Sequence, residues 1–246
     1  MPVTTDRTST SPKRILMVVA NPATSELTGW PIGFWASELV HPWYEFREAG
    51  YEVTIASPDG GAVEVDFLSD PSHEWGYSAE DVLSRGFLAD ASLTARLERT
   101  PALADLDPAD FDALVVCGGQ GPMYQFRGHE ALGRTIVAFY EAEKPTASLC
   151  HGVASLVDVR LSDGTPLIAG KTMTGFSNAE EDAADAAADQ TVQPWRIEDA
   201  ARGAGANYVE GGLWKAFAVR DGRLITGQQQ YSGRKVAEHV IAALGT

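Results

Sequence analysis

The segment Ala147-Ser148-Leu149-Cys150-His151-Gly152 decides how this chain is read. An apolar run over residues 145–149 enters Cys150 directly, and a glycine follows two residues later, where a helix over 151–157 is expected to begin. A cysteine at such a strand-to-helix turn has the geometry of a nucleophile elbow, in which the tight turn lifts the side chain above the strand ends. A small residue is needed at 152 because the incoming helix packs close to the strand. At a helix start the thiol would also feel partial positive charge, which favours thiolate. The competing reading of the same residues is a buried core cysteine, a common fate of free Cys.

Working outward, the pattern on either side of this turn alternates strand and helix. Residues 14–20 (RILMVVA) form an apolar run of buried-strand length. Residues 34–49 have helical periodicity and stop at Gly50; residues 51–57 (YEVTIAS) then read as a second strand, broken by the PDGG at 58–61. This βαβ unit implies a parallel sheet with a right-handed crossover. The stretch 62–110 is less regular, with one helix near 91–99, and reads as an excursion from the sheet. Strands follow at 112–117 and 145–149, with a helix over 130–142 between them. Beyond the cysteine the expected elements are a strand at 171–174, an acidic helix at 180–189, a helical turn or two at 196–202, strands at 214–219 and 224–226, and a final helix at 234–244. Asp221-Gly222 marks a hairpin between the last two strands. The expected fold is therefore α/β: one doubly wound domain over 14–246, mainly parallel, with helices on both faces and a polar tail at 1–13.

Bulk properties narrow the function. The formal net charge is −15, from 34 acidic and 19 basic side chains, a field that repels phosphate backbones and anionic lipid. Nucleic acid and membrane are accordingly not expected as partners, and no apolar run is long enough to span a bilayer. The first dozen residues lack the apolar stretch of a secretory signal, so the cytoplasm is the expected location. Cys117 and Cys150 are the two cysteines, without zinc-binding spacing, and no metal or cofactor is expected.

Two further features surround Cys150. Cys117-Gly118-Gly119-Gln120-Gly121 closes another strand, and its amides read equally well as an oxyanion hole or as a plain glycine-rich turn. The spacing is not that of a dinucleotide fingerprint. Cys117, inside the apolar run, reads as core. Glu38 lies on a helix whose positions 34, 35 and 39 are apolar. On these residues alone a solvated helix-face carboxylate is the favoured reading, and His41 before Pro42 is equally ambiguous. The six tryptophans could line a pocket, but such residues are more often core or interface, and none is assigned to a site.

Taken together, GFWASELVHPWYEFREAGYEVTIASPDGG at 33–61, DALVVCGGQGPMYQF at 112–126, ASLCHGVASL at 147–156, KTMTGFSNAEE at 171–181 and DGRLITGQQQYSG at 221–233 resemble the ThiJ/PfpI superfamily. The likeness is to its branch of heat-shock chaperones and glutathione-independent glyoxalases, with a flavodoxin-like fold related to class I glutamine amidotransferases. The resemblance implies Cys150 as nucleophile with His151 beside it and Glu38 as the carboxylate against the sulfur. It implies Glu181, with Glu180 as second choice, as the acidic partner of the histidine. Gly118, Gly119, Gln120 and His151 would border the substrate, with the Gly119 and His151 amides forming the oxyanion hole. Two loops depart from the family pattern: Gly119-Gln120-Gly121 where Gly-His-Gly is frequent, and Gly227-Gln228-Gln229-Gln230-Tyr231-Ser232 where Gly-x-Asn-Pro-x-Ser is common. Trp30-Pro31-Ile32 adds aromatic bulk near the same place.

The expected activity is a cofactor-free, glyoxalase III-type lyase reaction converting methylglyoxal to a 2-hydroxy acid, in a stress-response protein that forms homodimers. The competing readings are a thiol amidase or peptidase, a hydratase, and a redox-sensing holdase. True amidotransferase chemistry is disfavoured, since His239 precedes Val240 and Ile241 rather than forming His-x-Glu.

Overall fold

Residues 15–20 are buried without interruption, as a strand covered on both faces must be. Alternate side chains of that strand feed two separate cores. Ile15, Met17 and Val19 pack with Leu39, Phe46, Val236 and Val240, while Leu16 and Val18 pack with Leu132, Ile136 and Phe139. The computed structural model describes residues 11–245, so the expected tail lies outside the described residues as far as residue 10.

Six strands pair in the order Glu52–Ala56, Arg14–Val18, Ala113–Val116, Thr146–Leu149, Leu224–Gly227, Ala218–Asp221. The first five run parallel, and the last joins antiparallel through the expected Asp221-Gly222 hairpin. Helices Ala36–Glu48 and Gly233–Leu244 cover one face and Glu130–Glu141 the other. This is the doubly wound α/β architecture expected from the sequence. The chain reverses its winding between Arg14–Val18 and Ala113–Val116, which opens a crevice at the carboxyl ends of the strands.

Several local expectations change. The helix expected at 151–157 is a six-residue 3₁₀ segment, Cys150–Ser155. It winds tightly because Gly152 lies against strand carbonyls: a Cβ there would sit 2.7 Å from both Val116 O and Cys117 O. The strand at 171–174 shortens to Thr172–Met173 and pairs with Asn207–Tyr208 in a separate small sheet. The strand placed at 214–219 starts later, at Ala218, because Gly212 and Trp214 both hold positive φ and keep the preceding chain in a loop. Helix Val82–Ala89, capped by Asp81, forms within the stretch read as irregular. The acidic helix begins earlier, at Asn178, where Ser177 and Glu180 close a capping box.

Candidate active site

Cys150 follows directly on the Thr146–Leu149 strand with φ at 54°, a left-handed conformation that non-glycine residues seldom adopt. Packing around Gly152 holds this strain and aims the side chain out of the sheet into a cavity of about 580 Å³. The thiol lines that cavity although Cys150 is only 3 % exposed. Nucleophile-elbow placement and burial, which the sequence set against each other, therefore hold together.

Glu38 is brought to the same point from the Ala36–Glu48 helix and is 0 % exposed. The solvated-carboxylate reading is thus overturned. The helix lays its first two turns against the Gly118 loop, and residues 36–40 are all buried. Gly118 N–H donates to Glu38 Oε2 at 2.8 Å. Glu38 Oε1 has no nitrogen or oxygen partner among the described residues, and the Cys150 thiol is the polar group beside the carboxyl. Only glycine fits at 118, since a Cβ would meet Glu38 Oε2 at 2.7 Å and Cys150 Cβ at 2.9 Å.

The rest of the Glu-x-x-His-Pro element supports Glu38 without joining it. Pro42 lacks the N–H that would bond the Glu38 carbonyl within the helix. The Cys117 thiol donates to that oxygen instead, at 3.4 Å. Cys117 is a core residue, as expected, and here has a specific partner. His41 turns away to Asp81, with Nε2 2.9 Å from Oδ1.

Burial governs the protonation of this centre. It pushes the Glu38 carboxyl up to about 8 from 4.5, against the opposing hydrogen bonds from Cys150 and Gly118. It also pushes the Cys150 thiol well above its ordinary range, and the Glu38 charge pushes it further. Burial thus works against the thiolate expected from a helix start. Desolvation outweighs the short 3₁₀ turn, and the adjacent Glu38 and Cys150 hold their protons near neutral pH. The first proton lost leaves one negative charge between the carboxyl and the sulfur.

His151 Nδ1 stands 3.7 Å from Cys150 Sγ, and its Nε2 lies 3.0 Å from Glu181 Oε1. With Nε2–H donating to the carboxylate, Nδ1 presents its lone pair to the thiol. The ring is also stacked on Phe176, 4.2 Å between centroids. Glu180 is buried but faces elsewhere. Its Oε2 accepts from Ser177 N and Oγ, and its Oε1 from Trp214 N and Gln228 Nε2. Geometry thus brings Glu181 to the histidine and makes Glu180 a structural anchor.

The two unusual loops divide in role. Gln228 braces the framework, donating to Glu180 and accepting from Gly211 N–H at 2.7 Å. Gln230 reaches the cavity, while its carbonyl accepts from Ser37 Oγ. Gln120 also lines the cavity, clamped by a residue that nothing in the sequence singles out. Asp66 Oδ2 accepts from Gln120 N–H at 3.0 Å and Oδ1 from Nε2 at 2.9 Å. That clamp fixes the amide so that Gln120 Oε1 is left without a partner among the described residues. Burial raises Asp66 to about 6, against these two hydrogen bonds.

Of the cavity walls, sequence reasoning placed only the bulk of Trp30 near this space and assigned no tryptophan to it. Trp30, Trp35, Trp75 and Trp214 line the space, and Ala183, Ala184, Ala187 and Ala188 face it from the acidic helix. That helix is a solvated face on one side only. The signal available was its alanine spacing, which marks a close-approach face once the opposite side is known to be acidic.

Comparison with known proteins places the chain in a family. The family model described as DJ-1/PfpI matches residues 31–243. Glyoxalase 3 of Candida albicans is 32% identical over 226 residues, covering 87% of this chain and 91% of its own length. A glutathione-independent glyoxalase of Saccharomyces cerevisiae is 28% identical over 229 residues, covering 88% and 91%. Among solved structures, the Francisella tularensis Rapid Encystment Protein 24 KDa superposes with a TM-score of 0.86 at 29% identity, covering 95% of this chain and 100% of that one. Glyoxalase III from Candida albicans gives 0.78 at 28% identity, covering 94% and 97%.

Proposed function

The chain belongs to the DJ-1/PfpI family, and from that premise we propose that it is a cofactor-free, glutathione-independent glyoxalase using Cys150 as nucleophile. The carrying observation is the strained Cys150 at the edge of a cavity, with the Glu38 carboxyl on one side and the His151–Glu181 pair on the other.

The chemistry runs from these positions on a 2-oxoaldehyde such as methylglyoxal. The sulfur bonds to the aldehyde carbon, and the thiol proton passes through the Glu38 carboxyl to the aldehyde oxygen, giving a hemithioacetal. His151 Nδ1, steadied by Glu181, takes the proton from the former aldehyde carbon and returns it to the neighbouring carbon through an enediol, while the hydroxyl proton on the first carbon passes to the oxygen of the second. The product is a 2-hydroxy thioester on Cys150. Water adds to its carbonyl, the C–S bond breaks, the sulfur regains a proton and the 2-hydroxy acid leaves. Oxoaldehyde plus water thus becomes hydroxy acid with no external oxidant or reductant. The Gly119 and His151 amides serve the negative oxygen of the addition steps.

Methylglyoxal consumption without glutathione, with lactate formation followed alongside, tests this in wild type and Cys150→Ala. Turnover is expected in the wild type only; equal rates in the two proteins would sink the mechanism. The Cys150–His151–Glu181 series also has the form of an acyl-transfer site, and activity on an amide panel with none on oxoaldehydes would favour that reading. The same reading includes a cytoplasmic homodimer, which size-exclusion chromatography with light scattering tests. Among the described residues both cysteines are free and no helix is long and apolar enough to cross a membrane.

A further inference from the structure

The cavity is far larger than methylglyoxal requires. At about 580 Å³ it falls in the range that holds drug-sized ligands, whereas methylglyoxal has only a methyl group beyond its two carbonyls. Its lining is also specific in kind. Trp30 and Trp75 meet edge to face, 6.2 Å between centroids, and both pack on Phe67. Trp35 meets Tyr77 in the same way at 5.8 Å, and Trp214 meets Phe176, the residue beneath His151, at 5.8 Å. These aromatic pairs and the alanine face of the Asn178–Ala188 helix leave a space suited to a flat ring.

Charge restricts the occupant further. Among the described residues no lysine or arginine lines the cavity, and its one acidic side chain, Glu181, is engaged with His151. A phosphorylated or carboxylated substrate would find no counter-ion there. Its other polar groups are uncharged, namely the Gln120, Gln193 and Gln230 amides and the Tyr77 hydroxyl, and Gln120 Oε1 and Gln193 Oε1 have no hydrogen-bond partner among the described residues. Uncharged amide and hydroxyl groups can bond the hydroxyls of a hemithioacetal or enediol and a phenol on the ring.

From this lining we infer that the site selects neutral arylglyoxals, converting phenylglyoxal or its 4-hydroxy derivative to the corresponding mandelate, over methylglyoxal. The inference rests on the glyoxalase reading above and uses its bond changes unaltered, with aryl in place of methyl. Water is the only other reactant.

The test measures kcat/KM for methylglyoxal and phenylglyoxal by chromatographic detection of lactate and mandelate, in wild type, Trp75→Ala, Ala184→Leu and Cys150→Ala. Wild type is expected to favour phenylglyoxal by about tenfold or more, as several buried ring carbons in an apolar pocket allow. Trp75→Ala removes a wall and Ala184→Leu fills the space, and each is expected to lower the phenylglyoxal-to-methylglyoxal ratio by about tenfold. A wild-type ratio near or below one, with Cys150-dependent methylglyoxal turnover intact, overturns the arylglyoxal assignment alone. A high ratio untouched by both cavity variants also overturns it, because the preference then belongs to the aldehyde. Absence of Cys150-dependent turnover on either aldehyde removes the glyoxalase reading and this inference together.

Discussion

Replacing Glu38 by glutamine should stabilise the protein toward alkaline pH while disabling it. The carboxyl has its folded-state pKa raised to about 8 from 4.5, chiefly by burial. Between these values the folded chain holds a proton that the unfolded chain has released, so stability falls as pH rises through this window. Each tenfold difference in proton affinity between the two states is worth about 1.4 kcal/mol. The accumulated cost is then about 2 kcal/mol at pH 6 and about 4 kcal/mol at pH 8, a difference of about 2 kcal/mol. The substituted amide has no charge to desolvate, and its oxygen can still accept from Gly118 N–H. Asp66 is raised to about 6 and contributes little above that pH, equally in both proteins. Urea unfolding followed by tryptophan fluorescence at pH 6 and pH 8 therefore gives a direct comparison. Wild type should lose about 2 kcal/mol more than Glu38→Gln over this interval. The variant should also lose at least about a hundredfold in kcat/KM, since an amide cannot relay the thiol proton. In wild type, kcat/KM should rise toward pH 8 as the first proton leaves the Glu38 and Cys150 centre. Equal pH slopes of stability in the two proteins would refute the buried, protonated carboxyl. Unchanged activity in Glu38→Gln would refute its relay role.

Glu181→Gln should lower kcat by about 100-fold with KM little changed, because His151 keeps a neighbour but loses its charge. Glu180→Gln should instead cost stability, about 1–3 kcal/mol in urea unfolding, through its contacts with Ser177, Trp214 and Gln228. The reverse pattern would exchange the two roles. Gly118→Ala should remove activity while leaving far-ultraviolet circular dichroism native, since its new methyl would strike Glu38 Oε2 and Cys150 Cβ at the centre itself. A Gly118→Ala enzyme with wild-type turnover would show that the Glu38–Cys150 approach is not needed for reaction.

The sequence by itself determined the layered fold and the position of Cys150 at the end of a strand. Six consecutive apolar positions at 15–20, the helical pattern ending at Gly50 and the apolar run into Cys150 are local patterns whose period and punctuation mark the order of strands and helices. Family resemblance extended this to Glu38 and to the pair Glu180 and Glu181, but neither helical periodicity nor spacing could say which glutamates were buried or where they pointed. Tertiary structure decided those questions, because burial depends on what packs opposite. The Gly118 loop shuts Glu38 away from water, Ser177 and Gln228 take Glu180, and Glu181 is left facing His151. The same dependence hid Asp66, which lies 54 positions from the glutamine it clamps, in a stretch with no periodic signal. It also works against the thiolate expected at Cys150. A turn motif reports the local dipole, whereas the thiol's protonation answers to desolvation by segments distant in sequence, and in this site the distant contribution is the larger.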